Sequence, residues 1–269
     1  MSDTGPYKTN HRVYIEFMGT FLDECKYLEP SLTHFFLYYV AQENPRALWH
    51  TMNIDGLEEY FGLNDNPKDR KNCQVQVLHG SLRYGMCYRC WYTFEIDDVK
   101  LEQYKKGMNP PCPDCHANNK REPGYLRPDV QLYGQTNRFF GHFAARERHL
   151  GAPSIILVLG TSLGSDDGVS HLKKWREMNP NAPVIYVDRD PKPAAEIKHL
   201  FDYHLVMDCD LLIDKVANLA GIDLFSYAAP VHQRILQEQD NNLSDHIKHQ
   251  LEQMSENQFK KCLSFFRKT

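Results

Sequence analysis

Apolar residues recur at mostly helical intervals from Arg12 to Leu28, where Val13, Ile15, Phe17, Met18, Phe21, Leu22 and Leu28 predict a first helix. Pro30 and Ser31 read as a break and a cap, and a second helix is expected from Leu32 to about Glu43, ended by Asn44-Pro45. Its aromatics, Phe35, Phe36, Tyr38 and Tyr39, belong to a core rather than to a cofactor box. The segment M-N-I-D-G-L-E-E-Y-F-G-L, Met52 to Leu63, predicts an extended stretch running into a short helix closed by Gly62. Val75, Val77 and His79 then alternate as in a strand. Ser154 to Leu159, S-I-I-L-V-L, is a continuous apolar run of the kind buried on both faces of a parallel sheet. It leads through G-T-S-L-G, Gly160 to Gly164, into a helix around His171 to Met178. The unit repeats with a strand at Pro183 to Asp188, a helix near Ala194 to Leu200, a strand at Tyr203 to Val206 and a helix at Leu211 to Leu219. Strands alternating with helices argue a parallel sheet with right-handed crossovers. From His232 to Thr269 the chain is amphipathic and rich in Gln, Asn and Lys, which predicts surface helices or a flexible end.

The 269 residues suffice for one large domain or two smaller ones, and 42% hydrophobic content is ordinary for a globular protein. A formal net charge of -4 argues against direct nucleic-acid or membrane binding through bulk electrostatics. No apolar run approaches the roughly 20 residues of a membrane-spanning helix. The first ten residues lack the apolar core of a signal peptide, so an intracellular protein is expected.

Cysteine spacing changes the picture most. C-Y-R-C at Cys87 and Cys90 is followed, after 21 residues, by C-P-D-C at Cys112 and Cys115. Two such hooks supply the four soft ligands of a tetrahedral zinc ion at about 2.3 Å. Two redox dithiols or two disulfides compete with that reading. A redox Cys-x-x-Cys normally opens a helix, whereas Pro110, Pro111 and Pro113 favour a turn at the second hook. A closed four-cysteine site has no open position for water, so the metal holds structure and the chemistry lies elsewhere. Cys25, Cys73, Cys209 and Cys262 show no pairing pattern and are expected as buried thiols in a reducing compartment.

Three other places carry candidate chemistry. Asn53 and Asp55 stand at a strand end, where open α/β sheets bind ligands, or equally serve as a turn residue and a helix cap. His79 ends its strand just before Gly80 and is either structural or a general base. Strand, Gly-rich turn and helix around Gly160, Thr161 and Ser162 can cradle phosphate, although no G-x-G-x-x-G occurs in the chain.

Taken in order, M-N-I-D-G-L-E, V-L-H-G-S-L, the two cysteine hooks, L-R-P-D-V-Q-L-Y-G-Q, G-T-S-L, V-I-Y-V-D and D-C-D resemble the sirtuins over roughly Leu32 to Ala220. P-P-C-P-D-C, L-R-P-D-V and L-Y-G look most like the fungal nuclear branch that deacetylates histones. The resemblance implies an α/β fold with a Rossmann-like parallel sheet and a small inserted zinc-ribbon module at about residues 80–125. It implies a deacetylase domain over residues 1–230 and a C-terminal tail over 231–269. The expected activity is NAD-dependent protein lysine deacetylation, with an acetylated histone peptide as partner and one structural zinc. His79 would be the general base. Asn53, Asp55, Gly160, Thr161, Ser162, Asp188 and Cys209 would contact NAD. Val130, Leu132, Tyr133 and Gly134 would flank the acyl-lysine, and Cys87, Cys90, Cys112 and Cys115 would bind zinc. Sirtuins also carry a Gly-Ala-Gly-Ile-Ser turn and a Pro-Asp-Phe-Arg-Ser loop, neither of which this sequence spells, so a Rossmann sheet truncated at its N-terminus is expected. Met52 stands where the family has Gln, Gln135 where it has Glu, Gln131 where it has Val and Asp188 where it has Asn. A catalytically impaired remnant, acting as a zinc-stabilised peptide-binding module, is the alternative on these departures.

Overall fold

The computed structural model describes residues 11–65, 71–117, 124–132, 139–164, 166–190 and 196–224. In chain order the helices are α1 (His11–Cys25), α2 (Leu32–Glu43), α3 (Asp98–Lys105), α4 (Pro113–Ala117), α5 (Phe140–Leu150), α6 (Asp166–Met178) and α7 (Cys209–Ala220). The strands are β1 (Trp49–Thr51), β2 (Val75–Val77), β3 (Gly80–Cys87), β4 (Thr93–Glu95), β5 (Leu126–Val130), β6 (Ile156–Leu159), β7 (Val184–Asp188) and β8 (Tyr203–Val206). Single 3-10 segments form at Leu57–Phe61 and Lys198–Leu200. Described residues of Met1–Glu29 and Leu48–Ala145 make one compact unit, and those of Pro30–Ala47 and Arg146–Thr269 a second. The expected tail, and the start of the helix expected near Ala194, lie outside the described residues.

In the first unit, α1 buries Ile15, Met18, Gly19, Leu22 and Cys25, a stripe at spacings of three and four. It ends at Cys25, three residues before the predicted Leu28, which is exposed. A Cβ on Gly19 would fall 2.5 Å from the backbone N of Lys105, so glycine is what lets α1 approach α3 so closely. Helix α3 starts where Asp97 accepts from the backbone N of Lys100 at 2.8 Å. Met18, Leu22 and Cys25 pack with Leu82, Leu101 and Val130 in one core. Strands β1 and β2 pair in parallel, while β4, β3 and β5 form an antiparallel sheet in that order. Pro128 has no N–H to give the ladder, and the register of β3 against β5 shifts between Ser81 and Gly85, which faces Pro128. The bulged stretch of β3 turns its hydrogen bonds elsewhere: Leu82 donates to the Ile54 carbonyl at 2.9 Å.

The second unit holds the predicted parallel sheet, with β7 between β6 and β8. Helices α2 and α7 cover one face, burying Leu32, Phe36, Leu212, Ile213 and Val216 against Ile185 and Val187. The α2 start is held twice. Ser31 and His34 form a capping box, and Asp210 of α7 accepts from the Thr33 N–H at 2.8 Å and from its hydroxyl. On β7, Tyr186 stacks on Phe201 with ring centroids 4.6 Å apart.

Asp202, just before β8, accepts from both terminal nitrogens of Arg176 and, at 2.9 Å, from the N–H of Val184. The Arg176 bond holds its carboxyl below the usual aspartate range. A depressed folded value adds stability above the unfolded aspartate pKa, and that contribution disappears as pH falls through the folded value. Asp202→Asn should therefore lower the melting temperature at pH 7 and converge with wild type towards pH 3, in thermal melts across that range. The pair is partly exposed, so the loss at pH 7 should be about 0.5–1 kcal/mol after screening. Parallel melting curves at every pH would contradict this.

Candidate functional site

The four cysteine sulfurs of Cys87, Cys90, Cys112 and Cys115 lie within 4.8 Å of one another. Cys87 Sγ is 3.8 Å from Cys115 Sγ, and Cys90 Sγ is 3.5 Å from Cys112 Sγ. A zinc tetrahedron with bonds of about 2.3 Å has sulfur–sulfur edges of about 3.8 Å, so the four residues fit the ion. The local chain explains the fit. Cys87 ends β3, its N–H donates to Tyr92 O at 2.8 Å and its carbonyl accepts from Trp91 at 3.0 Å, closing the first hook. The second hook departs from the expected turn: Cys112 precedes α4 and Cys115 lies within it, with Pro113 at the first helical position, where a missing N–H costs nothing. The Arg89 N–H points at Cys87 Sγ at 3.4 Å and the Cys115 N–H at Cys112 Sγ at 3.5 Å.

Gly124 is a site residue that spacing did not reveal. A Cβ there would stand 2.4 Å from Cys87 Sγ and 3.5 Å from Cys115 Sγ, so only glycine leaves room for the sulfurs. Its carbonyl accepts from the Cys112 N–H at 2.8 Å. Burial pushes the Cys90 and Cys112 thiols up, while the Gly124 backbone N–H holds Cys115 below its ordinary value. A divalent cation offsets that cost by displacing the protons.

At the other end of β3 the three motifs around residue 79 are stitched together by backbone bonds. Leu78 donates to the Thr51 carbonyl at 2.9 Å, Leu82 to that of Ile54 at 2.9 Å, and Gln131 to that of His79 at 2.8 Å. The expected residues Asn53, Asp55, His79, Val130 and Leu132 thus share one small region of the first unit. The His79 ring is half-buried, and β2 stops before it at Val77. Gly80 has φ +81, and a Cβ on it would meet Asp129 O at 1.9 Å, so His79 is followed by a residue that must be glycine. Asn53 is exposed and its N–H donates to Thr51 Oγ1 at 3.1 Å. Asp55 does act as a cap, accepting from the Leu57 N–H at 3.2 Å. Val130 faces the core with Met18, Leu22 and Leu82, and Leu132 is half-buried. Tyr133 and Gly134 lie outside the described residues.

The remaining candidates belong to the second unit and cluster at the C-terminal ends of its parallel strands, where α/β sheets take ligands. Gly160 follows β6 with φ +57, and Leu163, at φ +50, donates from its N–H to Thr161 Oγ1 at 3.1 Å. Gly160 and Ser162 are exposed and Thr161 is half-buried, a turn whose backbone a phosphate can approach. Asp188 ends β7, and its Oδ1 accepts from Asp190 N at 2.8 Å, leaving acceptor capacity for a ribose hydroxyl. Cys209 opens α7 beside Gly160, whose Cβ position would be 3.6 Å from the sulfur. Burial, then Asp208, Asp210 and Asp188, push this thiol up to about 12, so it stays protonated and apolar rather than nucleophilic. A glycine turn, an acceptor at the next strand end and a soft apolar contact are what the adenosine end of a dinucleotide needs. The residues present fit it.

A fold of this kind with a four-cysteine site defines a Rossmann-like α/β protein carrying a zinc module. The chain belongs to the Sir2 family, whose model matches residues 2–166. It is 29% identical over 224 residues to the NAD-dependent histone deacetylase HST3 of Saccharomyces cerevisiae, covering 74% of this chain and 50% of that protein. To the NAD-dependent histone deacetylase sir2 of Schizosaccharomyces pombe it is 25% identical over 253 residues, covering 82% and 49%. The chain therefore spans about half the length of these relatives. Among solved structures it is similar to Sir2Tm bound to a propionylated peptide, with TM-score 0.62, 19% identity and coverage of 81% of this chain and 82% of that one. A Sir2 complex with 2'-O-acetyl-ADP-ribose and a deacetylated p53 peptide matches at TM-score 0.61 and 20% identity, covering 81% and 83%. These structural likenesses establish the fold.

Replacing Cys112 by Ser should reduce bound zinc well below one ion per chain and melt the β3–β5 sheet, since such sites contribute on the order of 10 kcal/mol to folding. Gly124→Ala should weaken zinc retention with all four cysteines present. Elemental analysis paired with near-ultraviolet circular dichroism checks both, and unchanged signals after metal stripping would contradict the assignment.

Proposed function

We propose that this chain is an NAD-dependent protein lysine deacetylase acting on acetylated histone peptides, and that it works in the nucleus. The observation that carries this reading is the backbone stitching of Asn53–Asp55, His79 and Val130–Leu132 around one point. The related proteins are called NAD-dependent histone or protein deacetylases, which supports both the activity and the substrate. The nuclear location follows from that substrate; among the described residues no helix is long and apolar enough to cross a membrane.

When bound, NAD would supply a ribose carbon that exchanges nicotinamide for the oxygen of the substrate's acyl group, and water would then free the lysine amine and leave the acetyl on ADP-ribose. His79 accepts a proton at an imidazole nitrogen from a ribose hydroxyl, the general-base role to which an imidazole is suited. The His79 carbonyl is fixed to Gln131, and the residue after it, Gly80, takes φ +81. Asn53 and Asp55 shape the pocket for the nicotinamide and its ribose. Gly160, Thr161 and Ser162 hold phosphates and the adenosine ribose, Asp188 accepts from ribose hydroxyls, and the neutral Cys209 packs against adenine. Val130, Leu132, Tyr133 and Gly134 flank the acyl-lysine and pair with substrate backbone as an added strand. Because the Val130 side chain belongs to the core, its contribution to peptide binding comes from the backbone.

Incubating the zinc-loaded protein with acetylated histone peptide and NAD should yield O-acetyl-ADP-ribose by mass spectrometry. His79→Ala should keep the fold and lose at least about 100-fold in rate. Absence of product from folded wild-type protein would sink the deacetylase reading, and activity surviving in the variant would remove His79 as the base.

A further inference from the structure

Glu58 lies on the 3-10 segment Leu57–Phe61, directly after the Asn53–Gly56 turn, and only 3% of it is exposed. Neither carboxyl oxygen completes a hydrogen bond among the described residues. A buried carboxyl without partners is costly and calls for an explanation. Its surroundings supply one. The side chain that acts on it favourably is Thr51, 5% exposed, whose hydroxyl already accepts from the Asn53 N–H at 3.1 Å. A hydroxyl has one proton to give, and the Glu58 carboxyl is the group placed to take or return it. Asp55, which caps Leu57, and Asp65, from the loop that follows, face Glu58 as like charges. Arg83 acts on Asp65 as an opposite charge.

We infer that Glu58 is a positioning residue, a buried carboxyl that sets the Thr51 hydroxyl and through it the Asn53–Asp55 turn in the pose that receives the nicotinamide-ribose end of NAD. This rests on the deacetylase reading. Burial, first, and then the two aspartates push Glu58 above the ordinary glutamate value. The sign follows: the folded state binds the proton more tightly, so stability falls as pH rises above the unfolded glutamate value of about 4.3. An ionised Glu58 would also repel Asp55 and loosen the turn.

The test uses the full zinc-loaded chain with Glu58→Gln, which keeps shape and hydrogen bonding, and Glu58→Met, which keeps volume alone. Glu58→Gln should melt together with wild type near pH 4 and above it by pH 8. It should retain wild-type NAD affinity within about twofold, whereas Glu58→Met should bind NAD about tenfold more weakly by calorimetry. In turnover, Glu58→Met should raise KM for NAD with kcat changed less than about threefold. Folded Glu58→Met binding NAD as tightly as wild type overturns this inference alone. Wild-type protein that binds no NAD overturns the deacetylase reading and this inference with it. Glu58→Gln melting below wild type at every pH also overturns it, since the buried carboxyl would then be a stabilising anion.

Discussion

Strand β3 is the constraint on which the first unit depends, because its two ends are fixed by different chemistry. Its last residue, Cys87, is one of four sulfurs set for a metal ion. Its first, Gly80, occupies a left-handed conformation that places His79. Eight residues of strand span up to about 23 Å, so a metal held at Cys87 would reach His79 through the strand between them. Cys87 pairs with Leu126, and Gly80 with Val130, so β5 is held at both ends too. The antiparallel ladder of three strands needs a covered apolar face for independent stability. A closed thiolate site at one end converts it into a rigid support for the histidine at the other.

The interruption in that ladder is as informative as the ladder. Pro128 cannot donate, and the register shifts opposite it. Leu82 is thereby released to bond Ile54, inside N-I-D-G, while its side chain joins the core with Met18 and Leu101. A regular β3–β5 pairing would spend the Leu82 N–H within the sheet and leave the Ile54 carbonyl without that partner. The bulge thus ties the turn carrying Asn53 and Asp55 to the strand carrying His79. A proline read in sequence as one letter of L-R-P-D-V is, in the structure, what lets the two motifs meet.

Much of this was legible in the sequence because the periodic signals were strong. Helix α2 runs over Leu32–Glu43 and β8 over Tyr203–Val206, as the apolar pattern predicts. The four thiols announced their site by spacing alone. What stayed hidden depended on contacts between residues distant in sequence. Gly124 is one glycine among 15 until the Cys87 sulfur is seen 2.4 Å from where its Cβ would be. Helix α3 has little apolar stripe of its own, burying Leu101 and Tyr104, and forms against the α1 glycine face. The second hook was read as a turn because prolines crowd it; Pro113 instead occupies the one helical position that tolerates proline.

Cysteine shows most clearly how environment, and not residue type, decides chemistry in this chain. Burial, and then three aspartates, keep the proton on the Cys209 sulfur, and the thiol donates weakly to the Val187 carbonyl at 3.7 Å. Cys25 behaves alike, pushed up to about 11 by burial, then by Asp55 and Glu24. Cys73 donates to the Val75 carbonyl at 3.1 Å. Cys73 and Cys209 are hydrogen-bond donors to backbone carbonyls, and Cys25 packs in the core. Of the four cysteines around Gly124, Cys87, Cys112 and Cys115 are buried and Cys90 half-buried, and burial likewise raises two of the thiols, but the sulfurs converge to tetrahedral spacing, which no single thiol can use and a cation can. Convergence therefore separates the metal ligands from the packing thiols, while depth of burial does not. The same test separates the candidate site from the rest of the first unit: Asn53, Asp55 and His79 are ordinary in exposure, and backbone bonds of their neighbours Thr51, Ile54, Leu78 and Leu82 bring their segments together.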